Sequence, residues 1–264
     1  MKGKKVLPFI VLLCFSTLFI STFASVSAEE VFLFSKPLAG VYLIKGDIEE
    51  RIIYRQGPHI APRLSPDGEN ILFHSRQGGK IGIWLTDLYG KEMERLCDGD
   101  QANWSPDGKR IVFRREGRIM EREIASGREK IITPEDWLSP MLGMASRTCE
   151  FPSYLPDGRI IFVSGGKSPN YGKIFLIDSD KKTPPEPLVE GEIMSAPKCS
   201  PDGKKIAYQD GAHIYLMDLG DRKISQLTMA GGVQSWPMWS QDSLSICYCQ
   251  SPQPPFSKGG QGGF

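Results

Sequence analysis

The feature that most restricts what this chain can fold into is a four-residue block that keeps returning. Ser65-Pro66-Asp67-Gly68 recurs as Ser105-Pro106-Asp107-Gly108, Leu155-Pro156-Asp157-Gly158 and Ser200-Pro201-Asp202-Gly203, and a degraded copy, Ser240-Gln241-Asp242-Ser243, comes last. The copies lie 40, 50, 45 and 40 residues apart, a period that belongs to stacked repeat architectures such as propellers and solenoids. The block also has a local meaning. Proline presets φ at the first corner of a turn, aspartate can bond the backbone two residues on, and glycine accepts a positive φ. Each copy is therefore a hairpin corner, and its work is chain reversal.

The flanks repeat too. After each corner comes a short β-type run: Ile71-Leu72-Phe73, Ile111-Val112-Phe113, Ile160-Ile161-Phe162, Ile206-Ala207-Tyr208 and Ile246-Cys247-Tyr248. A second run ends in aspartate, as in Ile83-Trp84-Leu85-Thr86-Asp87, Ile174-Phe175-Leu176-Ile177-Asp178 and Ile214-Tyr215-Leu216-Met217-Asp218. A third carries Leu96, Ile132, Leu188 or Leu227. Before the corners lie proline-bearing stretches: Ala61-Pro62-Arg63-Leu64, Phe151-Pro152-Ser153-Tyr154, Ala196-Pro197-Lys198-Cys199 and Trp236-Pro237-Met238-Trp239. Such a proline lacks a ladder donor and suits the start of an edge strand. Four short strands per period, with no helical periodicity beyond residue 28, make the chain all-β. A single four-stranded antiparallel blade cannot bury both faces. The blades must stack, with aromatic side chains between them, and closing the ring hides most edges. The expected fold is a β-propeller.

The stretch Trp104-Ser105-Pro106-Asp107-Gly108-Lys109-Arg110-Ile111-Val112-Phe113, with the later Ile-aromatic-Leu-x-Asp, resembles the repeat of TolB-like β-propellers. That repeat is similar to WD repeats and also occurs in the propeller of dipeptidyl-peptidase-type enzymes. The resemblance covers roughly residues 31–250 and implies the fold; the scaffold itself serves many functions. TolB is implied to work in the envelope Tol–Pal assembly and to carry an α/β domain before its propeller. Here the first strand is expected about two residues after the leader, leaving no room for that domain, so the resemblance does not extend to a Tol–Pal role.

Residues 1–28 read as a secretory signal peptide. Lys2, Lys4 and Lys5 form a positive start, an apolar stretch runs from Val6 to Ala24, and Val26-Ser27-Ala28 puts small residues at the cleavage positions before Glu29. Residues 29–250 are then the propeller and 251–264 a disordered tail with three Pro and four Gly. The tail starts inside a blade and reads like translated intergenic sequence after a lost end. Val31–Phe34, Val41–Ile44 and Arg51–Tyr54 match the last three strands of a blade whose first is absent. Full periods start near Ala61, Asn103, Pro152 and Pro197, and Pro237–Gln250 supplies two strands more. Two closures are open. In a five-bladed ring Pro237–Ser240 becomes the missing first strand; the other is an incomplete six-bladed ring, which the resemblance favours. Residues 134–152 interrupt one period and carry Trp137, Met141, Leu142 and Met144, more suited to packing against the next blade than to a binding patch.

Little in the sequence points to catalysis. There is no G-x-S-x-G, and His59, His74 and His213 lie far apart without metal-ligand spacing. Gly165-Gly166-Lys167-Ser168 lacks the first glycine of a phosphate loop and is followed by Pro169, so it reads as a hairpin loop. Asn103-Trp104-Ser105 is a formal glycosylation acceptor, discounted because Pro106 follows and Trp104 should be packed. Cys97, Cys149, Cys199, Cys247 and Cys249 are odd in number; Cys97 and Cys199 hold repeat positions filled elsewhere by Thr or Trp, the signature of small buried hydrophobes. Asp67, Asp107, Asp157, Asp202 and Asp242, gathered around one channel mouth, would form a carboxylate ring able to attract Ca²⁺. Their turn role is sufficient, so no cofactor or metal is expected.

After Ala28 the chain has 29 basic and 31 acidic residues, which gives no electrostatic case for nucleic acid. The expected function is an exported, periplasmic or secreted, non-enzymatic propeller. It would bind a protein or envelope component through one face, with no nucleic acid and no membrane insertion after signal cleavage. The alternative is the propeller part of a dipeptidyl-peptidase-type hydrolase, or a propeller lyase, whose catalytic part lies elsewhere.

Overall fold

A computed structural model of the chain describes residues 11–13, 19–26, 29–36, 40–45, 48–53, 59–133, 148–165, 172–181, 183–191, 194–229 and 231–250. Every regular element among them is a strand. β1 (Val11–Leu13) is followed by blade 1: β2 (Phe19–Val26), β3 (Glu29–Lys36), β4 (Gly40–Lys45) and β5 (Ile48–Ile53). Blade 2 holds β6 (His59–Leu64), β7 (Asn70–Gln77), β8 (Lys80–Asp87) and β9 (Met93–Asp98). Blade 3 holds β10 (Asp100–Trp104), β11 (Arg110–Arg115), β12 (Arg118–Glu123) and β13 (Glu129–Ile131). Blade 4 holds β14 (Cys149–Tyr154), β15 (Ile160–Gly165), β16 (Gly172–Ile177) and β17 (Glu186–Gly191). Blade 5 holds β18 (Met194–Cys199), β19 (Lys205–Asp210), β20 (His213–Asp218) and β21 (Ile224–Gln226). Blade 6 is three-stranded: β22 (Gln234–Trp239), β23 (Ile246–Gln250) and β1, which joins β23 in parallel. The five other sheets are antiparallel meanders of four strands. The first strands touch in sequence, β2 to β6, β10, β14, β18 and β22, and β22 meets β2 again. The ring is closed.

This settles the closure in favour of six sheets, one of them incomplete, and corrects the five-bladed alternative. Pro237–Ser240 stays with β23 in its own sheet. The place expected to be empty in blade 1 is taken by β2, drawn from the stretch read as a leader, which pairs antiparallel with β3. Without it the inner edge of β3 would present unpaired backbone groups. The rest of the leader (1–10, 14–18, 27 and 28), the insertion residues 134–147, the loop residues 166–171 and the tail 251–264 lie outside the described residues. Gly165 pairs with Gly172 across the β15–β16 hairpin, where the sequence reading put a loop.

The prolines are not at strand starts, as expected, but in mid-strand. Each inner strand of blades 2 to 6 slips register once, between Ile60 and Arg63, Asp100 and Asn103, Glu150 and Ser153, Ser195 and Lys198, and Ser235 and Met238. Inside each slip one non-glycine residue takes a left-handed conformation: Ala61 (φ 50°), Gln101 (54°), Phe151 (53°), Ala196 (49°) and Trp236 (58°). These are β-bulges, which cost backbone strain and re-aim the next side chains. Four of the five are followed by proline, which a bulge tolerates because it asks for no ladder donor.

The corners fold as their chemistry requires. Ser105 Oγ donates to Asp107 over 2.6 Å, accepts from the Arg110 N–H at 2.9 Å, and Asp107 accepts from the Lys109 N–H at 3.1 Å. The same set recurs at Ser65, Ser200 and Ser240. Gly108 takes φ 69°, and Ser243 of the degraded copy holds a similar 61°. Ser243 Oγ meanwhile accepts the Asp202 N–H of the neighbouring corner at 3.0 Å. Between the blades Phe73, Phe113, Phe162 and Tyr208 are essentially fully buried, each contributing on the order of 2 kcal/mol by leaving water.

Candidate functional site

Because the inner strands line the axis, the bulges decide what the channel presents. Two residues ahead of each corner the wall carries Arg63, Asn103, Ser153, Lys198 and Met238. Three of these meet. Asn103 Oδ1 accepts from Arg63 Nε at 3.1 Å and from Lys198 Nζ at 2.8 Å. Its Nδ2 donates to the Pro152 carbonyl at 2.7 Å, which holds the amide oxygen toward the two cations. Asn103 and Lys198 belong to blades 3 and 5, so this contact crosses the axis. At the bulge level Phe151 and Trp236, from blades 4 and 6, pack edge to face with centroids 5.7 Å apart. Gln101 Oε1 accepts the Phe151 N–H at 2.6 Å.

Electrostatics distinguish the levels. Burial, and then the Arg63 charge, hold the Lys198 ammonium well below its usual 10.5, and burial lowers Arg63 to about 10. Nearer the other mouth Arg114 is clamped by Asp100 (2.6 and 2.7 Å) and by Glu150 (2.8 Å), and the Asp100 bonds lead in raising its pKa. His74, near this group, is lowered to about 4, chiefly by burial. Two clefts flank blade 3. One of about 420 Å³ is lined by Lys80, Asp98, Asp100, Arg114 and Arg115, and one of about 390 Å³ by Arg110, Glu121, Glu129, Lys130 and Asp180. In the second, buried Glu121 accepts from Tyr154 at 2.7 Å and pairs with Lys130 at 3.0 Å.

No family model matches the chain. A stretch of 74 residues is 34% identical to an uncharacterized protein of Agrobacterium fabrum, covering 26% of this chain and 25% of that one. A structure described as TolB from Agrobacterium tumefaciens superposes with a TM-score of 0.69 at 21% identity, over 88% of this chain and 90% of the other. The fold is that of the TolB β-propellers. TolB from Acinetobacter baumannii gives 0.60 at 20% identity, and this chain spans 57% of it. The same TolB-type ring also matches the puromycin-hydrolyzing peptidase of Mycobacterium tuberculosis, at 0.59 and 12% identity, over 85% of this chain and 40% of that one.

On this TolB-type scaffold the residues singled out from sequence fall mostly into structural roles. The corner aspartates each serve their own turn. Serine hydrogen bonds lead in lowering Asp67, Asp107, Asp202 and Asp242; at Asp157 burial raises the carboxyl but Arg159 outweighs it. Among the described residues no three or more His, Cys, Asp or Glu form a group that could hold a metal. Asp87, Asp178 and Asp218 accept backbone N–H groups in their turns. His213 Nδ1 sits 2.9 Å from Gln234 Oε1; His59 contributes its backbone to β6. Cys97, Cys149, Cys247 and Cys249 are buried and Cys199 half-buried, with burial raising Cys97 to about 11 and Cys199 to about 12. Sequence reasoning passed over Arg63 and Lys198 and discounted Asn103. The available signal was that all three precede a corner by the same two residues.

Proposed function

We propose that this chain is an exported, periplasmic or secreted, non-enzymatic β-propeller that binds a protein or envelope component through one face of the ring. The observation that carries this reading is the channel wall. Five bulges turn side chains toward the axis, and the groups that meet there are donors and acceptors suited to recognition. The TolB-type fold and the leader pattern point the same way. Export is tested by sequencing the N-terminus of the protein recovered from the periplasm or medium, where Glu29 is expected. Binding is tested with a photo-crosslinking residue at Ser195 or Gln209 beside the channel, expected to yield one discrete adduct in the envelope. Recovery of the chain only as an intact cytoplasmic product overturns the reading.

The second reading, a propeller that supports a hydrolase, is favoured by the match to the puromycin-hydrolyzing peptidase, of which this chain spans 40%. It requires turnover. Purified chain is expected to cleave no peptide, ester or glycoside, and turnover that disappears on changing one of its own residues would favour the hydrolase instead.

A further inference from the structure

We infer that the inner side of blade 1 is an acceptor slot for one extended strand of a partner protein, opened when the leader is removed. The inference rests on the export reading above. Of the six first strands, β2 alone comes from the stretch read as a leader, and cleavage after Ala28 takes it away. The gap it leaves is bounded by strands that remain. β3 pairs with β2 in an antiparallel ladder over Glu29–Ser35, and β6 and β22, the first strands of blades 2 and 6, touch β2 as its neighbours in the ring. This frame does not depend on the leader. β4 and β5 bring Val41, Ile52 and Ile53 against Leu64, Ile71 and Phe73 of blade 2, all of them buried. On the other side Trp239 fastens β22 to the backbone of blade 5. Walls held by their own packing keep the gap one strand wide.

The strand seated in the slot shows what fits. β2 is an uncharged segment of eight residues. It slips register once, between Ile20 and Thr22, as the inner strands of the five other blades do. An occupant therefore needs an extended backbone that accepts one bulge and offers ladder donors and acceptors on either side of it. Register then selects its charge. Glu30 of β3 stands opposite Ser25, near the C-terminal end of β2. A carboxylate directly across a ladder favours a cation and disfavours another carboxylate. The leader strand carries no cation at that position. The fitting partner is an apolar-rich, otherwise uncharged segment of similar length, with Lys or Arg near its C-terminal end, presented by an envelope protein. Main-chain bonds to β3 supply affinity, and the pair with Glu30 fixes direction and register. An unfilled edge also pairs with other copies of the chain, so partner binding and self-association compete.

The test uses the exported chain, its N-terminus verified as Glu29 by sequencing, and two peptides of residues 17–26, one with Ser25→Lys and one with Ser25→Glu. Binding is followed at low salt by anisotropy of labelled peptide, by melting temperature and by sedimentation. The Ser25→Lys peptide is expected to bind one to one, raise the melting temperature and keep the chain monomeric. The Ser25→Glu peptide should bind about fivefold more weakly, and Glu30→Lys in the chain should reverse that order. A chain that retains its leader should bind neither. No binding of either peptide to a verified Glu29 chain, an order that Glu30→Lys leaves unchanged, or a dimer that neither peptide disperses overturns the acceptor slot while export stands. A periplasmic chain that keeps Phe19–Val26 overturns the export reading, and the inference with it. Should the Glu29 chain fail to fold, the full chain is folded with a protease site at positions 27 and 28 and then cut. The freed strand must then exchange with labelled Ser25→Lys peptide, and a cut chain that never exchanges overturns the inference.

Discussion

The indole Nε1 of Trp239 donates to the backbone carbonyl of Lys198 over 3.0 Å. The bond ties blade 6 to blade 5 at the residue whose ammonium reaches across the axis. Trp104 does the same between blades 3 and 2, donating to the Arg63 carbonyl at 3.2 Å. The two cations of the axial cluster are thus mounted on backbone that a neighbouring tryptophan holds in place. Cys199 occupies the equivalent position in blade 5 and has no indole to offer. Trp239→Phe should keep most of the packing, lose the bond, and cost about 1 kcal/mol in chemical denaturation. An unchanged midpoint would mean that the bond adds nothing beyond ring packing.

Corner chemistry predicts acid sensitivity. The folded state lowers the pKa of Asp67, Asp107, Asp202 and Asp242 below the ordinary 3.8, mainly through serine hydroxyls. Groups depressed in the folded state contribute stability above the unfolded value and lose it as pH falls through the folded one. Stability should therefore drop below pH 3.8. Ser105→Ala, which strips Asp107 and the Arg110 N–H of a partner at a fully buried position, should cost about 1–2 kcal/mol at neutral pH and less in acid. A constant cost across that range would detach the serine from the aspartate.

A second pH window belongs to His74. Burial lowers its pKa from 6.5 to about 4, and among the described residues its buried Nδ1 has no hydrogen-bond partner. The unfolded chain binds the proton more readily, so stability should fall as pH drops from 6.5 toward 4. The total is about 3 kcal/mol. His74→Phe should flatten this part of the pH–stability curve while leaving the fall below it; persistence of the slope would assign it to other groups.

Blade 1 makes export and folding compete for the same residues. β2 (Phe19–Val26) pairs with β3 throughout its length, yet cleavage after Ala28 would remove it. A chain starting at Glu29 should melt lower than the full chain and self-associate through the exposed edge of β3. Sedimentation and thermal melting of the two forms, side by side, check this. Equal stability and a monomeric shorter form would show that β3 does not need β2.

Much of this architecture was legible because it is local. A Ser-Pro-Asp-Gly corner is specified by four residues in contact with one another, and Ile-Leu-Phe runs announce a buried strand by their own composition. The same locality makes each corner aspartate's turn bonds readable from its own four residues. What only the tertiary structure decided depends on residues far apart in the chain. Ala61, Phe151, Ala196 and Trp236 adopt positive φ although nothing in an X-Pro dipeptide asks for it; the wall of a closing ring imposes the bulge. Asn103 looked like a discounted surface acceptor until the ring brought Lys198, 95 residues away, to 2.8 Å from its amide oxygen. Turn propensities and side-chain volumes are properties of a segment. Which side chains meet on the axis is set by how many blades close and where each bulge points them, and that is a property of the whole ring.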